Sequence, residues 1–203
     1  MKLVLASNNA KKLAELQALF APLGLELVTQ GSLGIAEAEE PYQTFVENAL
    51  AKARHAARCS GLPALADDSG LAVDALGGMP GVLSARYATL FGQPKSDADN
   101  NRVLLKQLQQ RGAVLPRARF VCALAAVRSA DDPEPLIAMG RWEGQILGAP
   151  QGEAGFGYDP LMFIPALQQS VAQLGAEQKN RLSHRALAAV SLQQQFKEVW
   201  QLG

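Results

Sequence analysis

The sequence is poor in the residues that build stapled or His-centred sites. It has two cysteines, Cys59 and Cys122, and two histidines, His55 and His184. Two thiols without metal-ligand spacing exclude a disulfide scaffold and a Cys-rich metal centre; they fit a reducing compartment and read as buried free thiols. Neither histidine has a second one at metal spacing, and no Gly-x-Ser-x-Gly elbow is present, which disfavours a Ser-His-Asp hydrolase. Charge of one sign is also missing. Lys plus Arg and Asp plus Glu both total 19, so no global field draws the chain to nucleic acid or to a membrane. Any phosphate affinity must come from a local cluster. No apolar run approaches the roughly 20 residues that cross a bilayer, and the amino-terminal run is too short for a signal peptide, so a cytoplasmic protein is expected. The glycines of a Walker loop or a dinucleotide fingerprint are absent, as are repeats and low-complexity tracts.

What is present is enough for a sizeable core: 203 residues, 48% of them hydrophobic, as one large domain or two lobes sharing a core. Leu62 to Ala66 is a short apolar run stopped by two acids, Asp67 and Asp68, then Ser69 and Gly70. Such a run predicts a buried strand, with the acids at its carboxyl end, where open α/β sheets place ligand crevices. Two adjacent carboxylates repel unless a cation lies beside them, although Asp, Ser and Gly also make ordinary turns. A second strand is expected from Leu71 to Ala75, followed by a glycine loop and by Arg86, whose fork suits a phosphate or a nearby acid.

Elsewhere, Lys2 to Ala6 predicts a strand running into Ser7, Asn8, Asn9, Ala10, Lys11 and Lys12, with helical spacing from Leu13 to Phe20. A polar loop entering a helix is either an anion site or a capped helix with solvated lysines. Leu25 to Thr29 is a strand. Thr44 and Glu47 form a capping box for a helix whose polar face carries Asn48, Lys52 and His55. Asp97 to Gln110 is a helix. Arg119 to Arg128 and Leu136 to Leu147 are paired strands in the middle of a mixed sheet. In Gly152 to Phe163, Phe156 and Tyr158 flank Gly157 ahead of Asp159; such aromatics either stack a base or pin the loop to the core. Ala176 to Leu182 is a short helix. Ser183 caps a longer one, from His184 to Trp200, with Leu187, Val190, Val199 and Trp200 expected in the core. Lys179, His184 and Arg185 gather donors at that junction.

Together, Ser7 to Lys12, Glu39-Glu40 before Thr44 to Asn48, Asp67 to Leu71, Gly78 to Val82 with Ser84 to Arg86, Phe156 to Pro160 and Ser183 to Arg185 resemble, in order and spacing, the inosine triphosphate pyrophosphatase family. The resemblance spans essentially the whole chain. It departs at Lys11, where the family's first loop usually has Gly. The resemblance implies one α/β domain over residues 1–203, with a mixed central sheet flanked by helices and two lobes around a cleft. It implies hydrolysis of ITP, dITP or XTP to the monophosphate and pyrophosphate. Alternatives are a pyrophosphatase of another base preference, or a nucleotide sensor without turnover. Carried over by position, Asp68 is the proton acceptor and a Mg2+ ligand, with Glu40, and Asp67 as an auxiliary, helping to hold the metal. Ser7 to Lys12, Lys52 and Ser69 meet the triphosphate. Phe156, Gly157, Tyr158, Asp159, Lys179, Ser183, His184 and Arg185 meet the purine. The family further implies a homodimer, with no nucleic-acid or membrane partner.

Overall fold

A computed structural model of the chain describes residues 1–202. The elements run β1 (Lys2–Leu5), α1 (Ala10–Phe20), β2 (Glu26–Thr29), α2 (Phe45–Ser60), β3 (Ala64–Val73), α3 (Asp97–Gln110), β4 (Arg117–Val127), β5 (Leu136–Ile146), β6 (Met162–Ile164), β7 (Gln169–Ser170), α4 (Ala176–Leu182) and α5 (His184–Glu198). The strands form one seven-stranded mixed sheet in the order β2-β1-β3-β4-β5-β6-β7. β1 is parallel to β2 and β3, while β6 is antiparallel to β5 and β7. The chain divides into two compact units, the first comprising Met1–Asp68, Cys122–Gly140 and Ser183–Gly203, the second Ser69–Val121 and Arg141–Leu182.

Local chemistry sets the helix ends. Thr44 Oγ accepts from the Glu47 nitrogen at the start of α2, and Gly61, in the left-handed region, closes it. Ser96 and Ser183 cap α3 and α5 in the same way. Each cap satisfies an amide that the helix cannot pair, worth about 1 kcal/mol.

In the first unit the strands' alternation separates two cores. Leu3, Leu5, Leu65, Cys122, Leu124 and Ala126 face α1 and α5, packing on Leu16, Phe20, Ala188, Ala189, Leu192 and Phe196. Val4, Ala64, Ala66, Ala123 and Ala125 face the alanine stripe of α2, Ala49, Ala53, Ala56 and Ala57. Successive side chains in a strand point to opposite faces. The second unit has its own core, around Leu71, Tyr87, Leu104, Phe120, Tyr158 and Leu161.

Three expectations need correction. The acids do not end a strand: β3 runs unbroken from Ala64 through Asp67 and Asp68 to Val73, absorbing the separate strand expected after them. Their turn propensity is overridden because each acid is met by a cation inside the fold. What ends there is β1, whose register with β3 stops at Leu5 opposite Leu65. Second, α5 turns only part of the expected stripe to the core: Val199 and Trp200 pack against it, but Leu187 and Val190 are exposed, while Ala186, Ala188, Ala189, Leu192 and Phe196 are buried. The helix lies so close to β5 that a methyl group at Gly140 would stand 2.6 Å from the Ala188 nitrogen; only small side chains fit there. Third, Cys122 is buried but Cys59 is exposed, on the solvent side of the last turn of α2.

Candidate active site

Asp67 and Asp68 follow Leu65 and Ala66 on β3 and inherit their alternation, so Asp67 is directed to the α1/α5 face and Asp68 to the α2 face. On the first face, Lys12 Nζ donates to Asp67 Oδ1 at 2.6 Å, and Arg185 Nε donates to Oδ2 at 2.6 Å. The Cys122 thiol approaches Oδ2 at 3.5 Å, and Arg185 Nη1 donates onward to Glu15. Burial alone would push the Asp67 carboxyl up, but the Arg185 and Lys12 cations outweigh it and hold the group well below the usual carboxylate range. Asp67 is thereby a fixed anion with both oxygens engaged, which leaves it poorly suited to the auxiliary metal role expected of it.

On the other face, Lys52 Nζ donates to Asp68 Oδ1 at 2.8 Å and to Glu40 Oε1 at 2.6 Å. Asp68 Oδ2 is buried and has no hydrogen-bond partner. Burial raises the Asp68 carboxyl above its ordinary value and prevails over Lys52, the main influence lowering it. Burial likewise depresses the Lys52 ammonium, but the two carboxylates more than compensate, and its net shift is upward. A polar face of α2 that the sequence leaves open between solvent and site is therefore buried: Asn48 is fully covered, Lys52 nearly so. His55 Nε2 lies 3.0 Å from the Ala36 carbonyl oxygen, a satisfied histidine.

The loop between β1 and α1 forms a capped helix start, with Lys12 turned inward. Asn9 caps α1, accepting from the Lys11 and Lys12 nitrogens, so these two amides are taken. Asn8 Oδ1 accepts from Gly31 N at 2.9 Å and Ser7 Oγ from Asn9 N at 3.2 Å, which fixes the loop and aims Lys12 at Asp67. Ala10 and Lys11 are the first helical residues; ordinary helical backbone there accommodates Lys11 in place of glycine.

The second group of expected residues forms in the second unit around Asp159. Asp159 Oδ2 accepts from Phe156 N at 2.9 Å and from Lys179 Nζ at 2.8 Å, and the same ammonium stands 4.5 Å from the centre of the Phe156 ring. Tyr158 belongs to the core, with its hydroxyl on the Ser84 carbonyl at 2.8 Å. Its ring pins the loop, as one of the two readings of such aromatics requires. Two residues that no motif marks also hold this loop: Asp97 Oδ2 accepts from Gly157 N at 2.7 Å, and Asn101 Nδ2 donates to Gly157 O at 3.0 Å.

Ser69 continues β3 beyond Asp68 and is half-buried. Ser183 Oγ accepts from Ala186 N as the cap of α5, and His184 and Arg185 are buried in its first turn. Arg185, expected at the purine, is buried and donates to Asp67 and to the half-buried Glu15, and those acids overcome burial to hold its charge.

The Ham1 family model matches residues 3–195. The chain belongs to the Ham1 family. This Ham1 chain is 64% identical over 213 aligned positions to the dITP/XTP pyrophosphatase of Leptothrix cholodnii, covering all of both proteins. It is 64% identical to the dITP/XTP pyrophosphatase of Methylibium petroleiphilum, covering 98% of this chain and 99% of that one. Among solved structures, a HAM1 protein from Coxiella burnetii superposes with a TM-score of 0.90 at 43% identity, covering 98% of this chain and 100% of that one. The Staphylococcus aureus Ham1 protein gives 0.82 at 39% identity, covering 98% of each. The family resemblance and the α/β fold drawn from the motifs both hold for this Ham1 chain.

Proposed function

We propose that the protein is a nucleoside triphosphate pyrophosphatase that hydrolyses ITP, dITP and XTP to the monophosphate and pyrophosphate, removing noncanonical purines from the nucleotide pool. The observation that carries the reading is Asp68 Oδ2, a buried carboxylate oxygen with no protein partner, beside a second carboxylate held by the same lysine. A buried acceptor left unmatched costs about 1–3 kcal/mol and persists where function uses it. The names of the close relatives agree with this substrate class.

In this reading Asp68 takes the proton of a water as its oxygen bonds to phosphorus, and the bond to the departing pyrophosphate breaks. The raised carboxyl makes Asp68 a better base than an ordinary aspartate, provided the pH lies above its titration. Lys12 and Lys52 bring positive charge to the phosphates, where charge builds during reaction. Mg2+ takes hard oxygens, one or two carboxylates and substrate phosphates rather than an all-protein shell. Glu40 and Asp68 are the residues that would hold it, and when bound it would supply further neutralisation of phosphate charge and a more acidic water. Within the second unit, the Lys179 ammonium and loop amides offer donors to O6 of hypoxanthine or xanthine, whereas adenine would turn an amino group toward them. The same reading takes the enzyme as a cytoplasmic homodimer. Among the described residues no helix is long and apolar enough to cross a membrane.

The test is pyrophosphate release with Mg2+ across ITP, dITP, XTP, dGTP and ATP, with and without chelator, for the wild type and Asp68→Asn. The expected result is Mg2+-dependent release from ITP, dITP and XTP, with turnover lowered about 10³-fold or more in Asp68→Asn. The variant should stay folded, since burial already disfavours the charge that it removes. Full activity in Asp68→Asn would overturn the assignment; tight nucleotide binding by a wild type that releases no pyrophosphate would point to a sensor.

A further inference from the structure

The Gly155–Asp159 loop is held from two sides. From within, Asp159 gathers the Phe156 amide and the Lys179 ammonium, and Gly155 has no side chain because a Cβ would run into the Asp159 carboxylate. From outside, the start of α3 grips the next residue by both of its backbone polar groups: Asp97 takes the Gly157 N–H at 2.7 Å and Asn101 donates to the Gly157 carbonyl at 3.0 Å. Gly157 has φ +61°, a conformation that glycine adopts freely and that needs an external partner to be singled out from the others open to it.

The two residues differ in what they gain locally. Asp97 is the first residue of a helix already capped by Ser96, so α3 does not need it for its end. Asn101 reaches Gly157 with its amide nitrogen while its own Oδ1 is buried without a partner. Such a residue is a net liability for folding, because an apolar side chain of the same shape would leave no buried acceptor unmatched. The pair lies four residues apart on one face of α3 and closes on the residue between Phe156 and Tyr158.

We propose that Asp97 and Asn101 are positioning residues for nucleobase selection: by fixing Gly157 they hold the Phe156 ring and the Asp159–Lys179 pair in the arrangement that receives the base. This rests on the reading of the Phe156–Asp159 loop as the base-recognising element. Neither residue touches the reacting phosphorus, so both act on binding and selectivity and leave the chemical step alone.

The experiment compares Asp97→Ala, Asp97→Asn and Asn101→Leu with the wild type in steady-state pyrophosphate release from dITP, XTP and dGTP, and in thermal unfolding. The expected result for Asp97→Ala is a KM for dITP raised about ten-fold, kcat within about three-fold, and a narrower preference for dITP over dGTP. Asp97→Asn, which keeps a carbonyl acceptor, recovers most of that loss. Asn101→Leu raises KM in the same direction while its Tm stays at or above the wild-type value, which a purely structural contact would not produce. Unchanged KM and selectivity in both Asp97→Ala and Asn101→Leu, or losses that follow Tm alone, would overturn the clamp while the functional reading stands. A wild type that releases no pyrophosphate from any of the three would overturn the functional reading, and the clamp with it.

Discussion

Replacing Lys52 by Met removes a cation that touches both Asp68 and Glu40, and its cost should depend on pH in a way that identifies Asp68. The ammonium lies 2.8 Å from Asp68 Oδ1 and 2.6 Å from Glu40 Oε1, with the Lys52 and Asp68 side chains only 11% and 9% exposed. Two opposite charges at such range attract by about 6 kcal/mol at an effective dielectric of about 20, before the cost of desolvating them is counted. Breaking a buried pair from one side costs about 3–5 kcal/mol, since the partner is left uncompensated. Glu40, at 28% exposure, adds little to this because water screens it. About 3 kcal/mol at pH 8 is therefore expected, with the aliphatic stem conserved by Met.

The sign with pH follows from Asp68. Its folded carboxyl is raised above the ordinary value of 3.8, so its ionisation opposes folding, and stability falls as pH rises above about 4 through the folded titration. Lys52 is the largest influence pulling that titration down, so Lys52→Met moves it further up and widens the window. Lys52 itself is raised above 10.5; its contribution is present through neutral pH and is lost only in strong base. The gap between wild type and variant should hence be near 3 kcal/mol at pH 8 and shrink as pH falls through the raised Asp68 titration and the carboxyl takes up its proton. Urea unfolding at constant ionic strength reads it. In a Lys52→Met/Asp68→Asn double variant most of the loss should be recovered, a non-additivity of about 2 kcal/mol. A loss that does not change with pH, or an additive cycle, would refute the reasoning.

Two further changes test the other face and the seat of α5. Asp67→Asn should cost about 3–5 kcal/mol at neutral pH, because it takes an anion from Lys12 and leaves Arg185 with Glu15 but without Asp67. The depressed Asp67 carboxyl adds stability above about pH 3.8 that is lost as pH falls through its folded titration, so the variant should show a flatter acid limb in a circular-dichroism pH titration. A wild-type acid limb in Asp67→Asn would sink the assignment. Gly140→Ala should cost about 3 kcal/mol or more, lowering Tm by about 10 °C, because its methyl group meets the backbone of α5 rather than a movable side chain. A wild-type Tm would mean that α5 is not seated there.

The parts of the fold that local chemistry decides were legible in the sequence. The Thr44/Glu47 box starts α2, and α3 spans Asp97 to Gln110 as its spacing predicts. The errors fall where partners arrive from far along the chain. Asp-Asp-Ser-Gly reads as a turn until Lys12, Lys52 and Arg185 are brought to it, the last from 118 residues away. In α5, Leu187 and Val190 read as core because size is a good guide to burial, except where backbones approach as closely as they do at Gly140. The site motifs carried the identity of the residues but not their division of labour. Arg185 could be recognised as important and not as a partner of Asp67 and Glu15, and nothing in the motifs marks Asp97 or Asn101.

That division of labour rests on the simplest property of a strand. Asp67 and Asp68 are adjacent, yet one is held ionised by two cations and the other is raised by burial, with one oxygen unmatched. Had they shared a face, a single cluster of lysines and arginine would have neutralised both, and Asp68 would not be left to serve as the base of the proposed reaction. Because β3 continues through them, the period of two sends Asp67 to α1 and α5 and Asp68 to α2, so their environments are separated by the thickness of the sheet. The titrations of the two carboxylates are thereby pushed apart, and the separation follows from the strand not ending where its turn-forming residues begin.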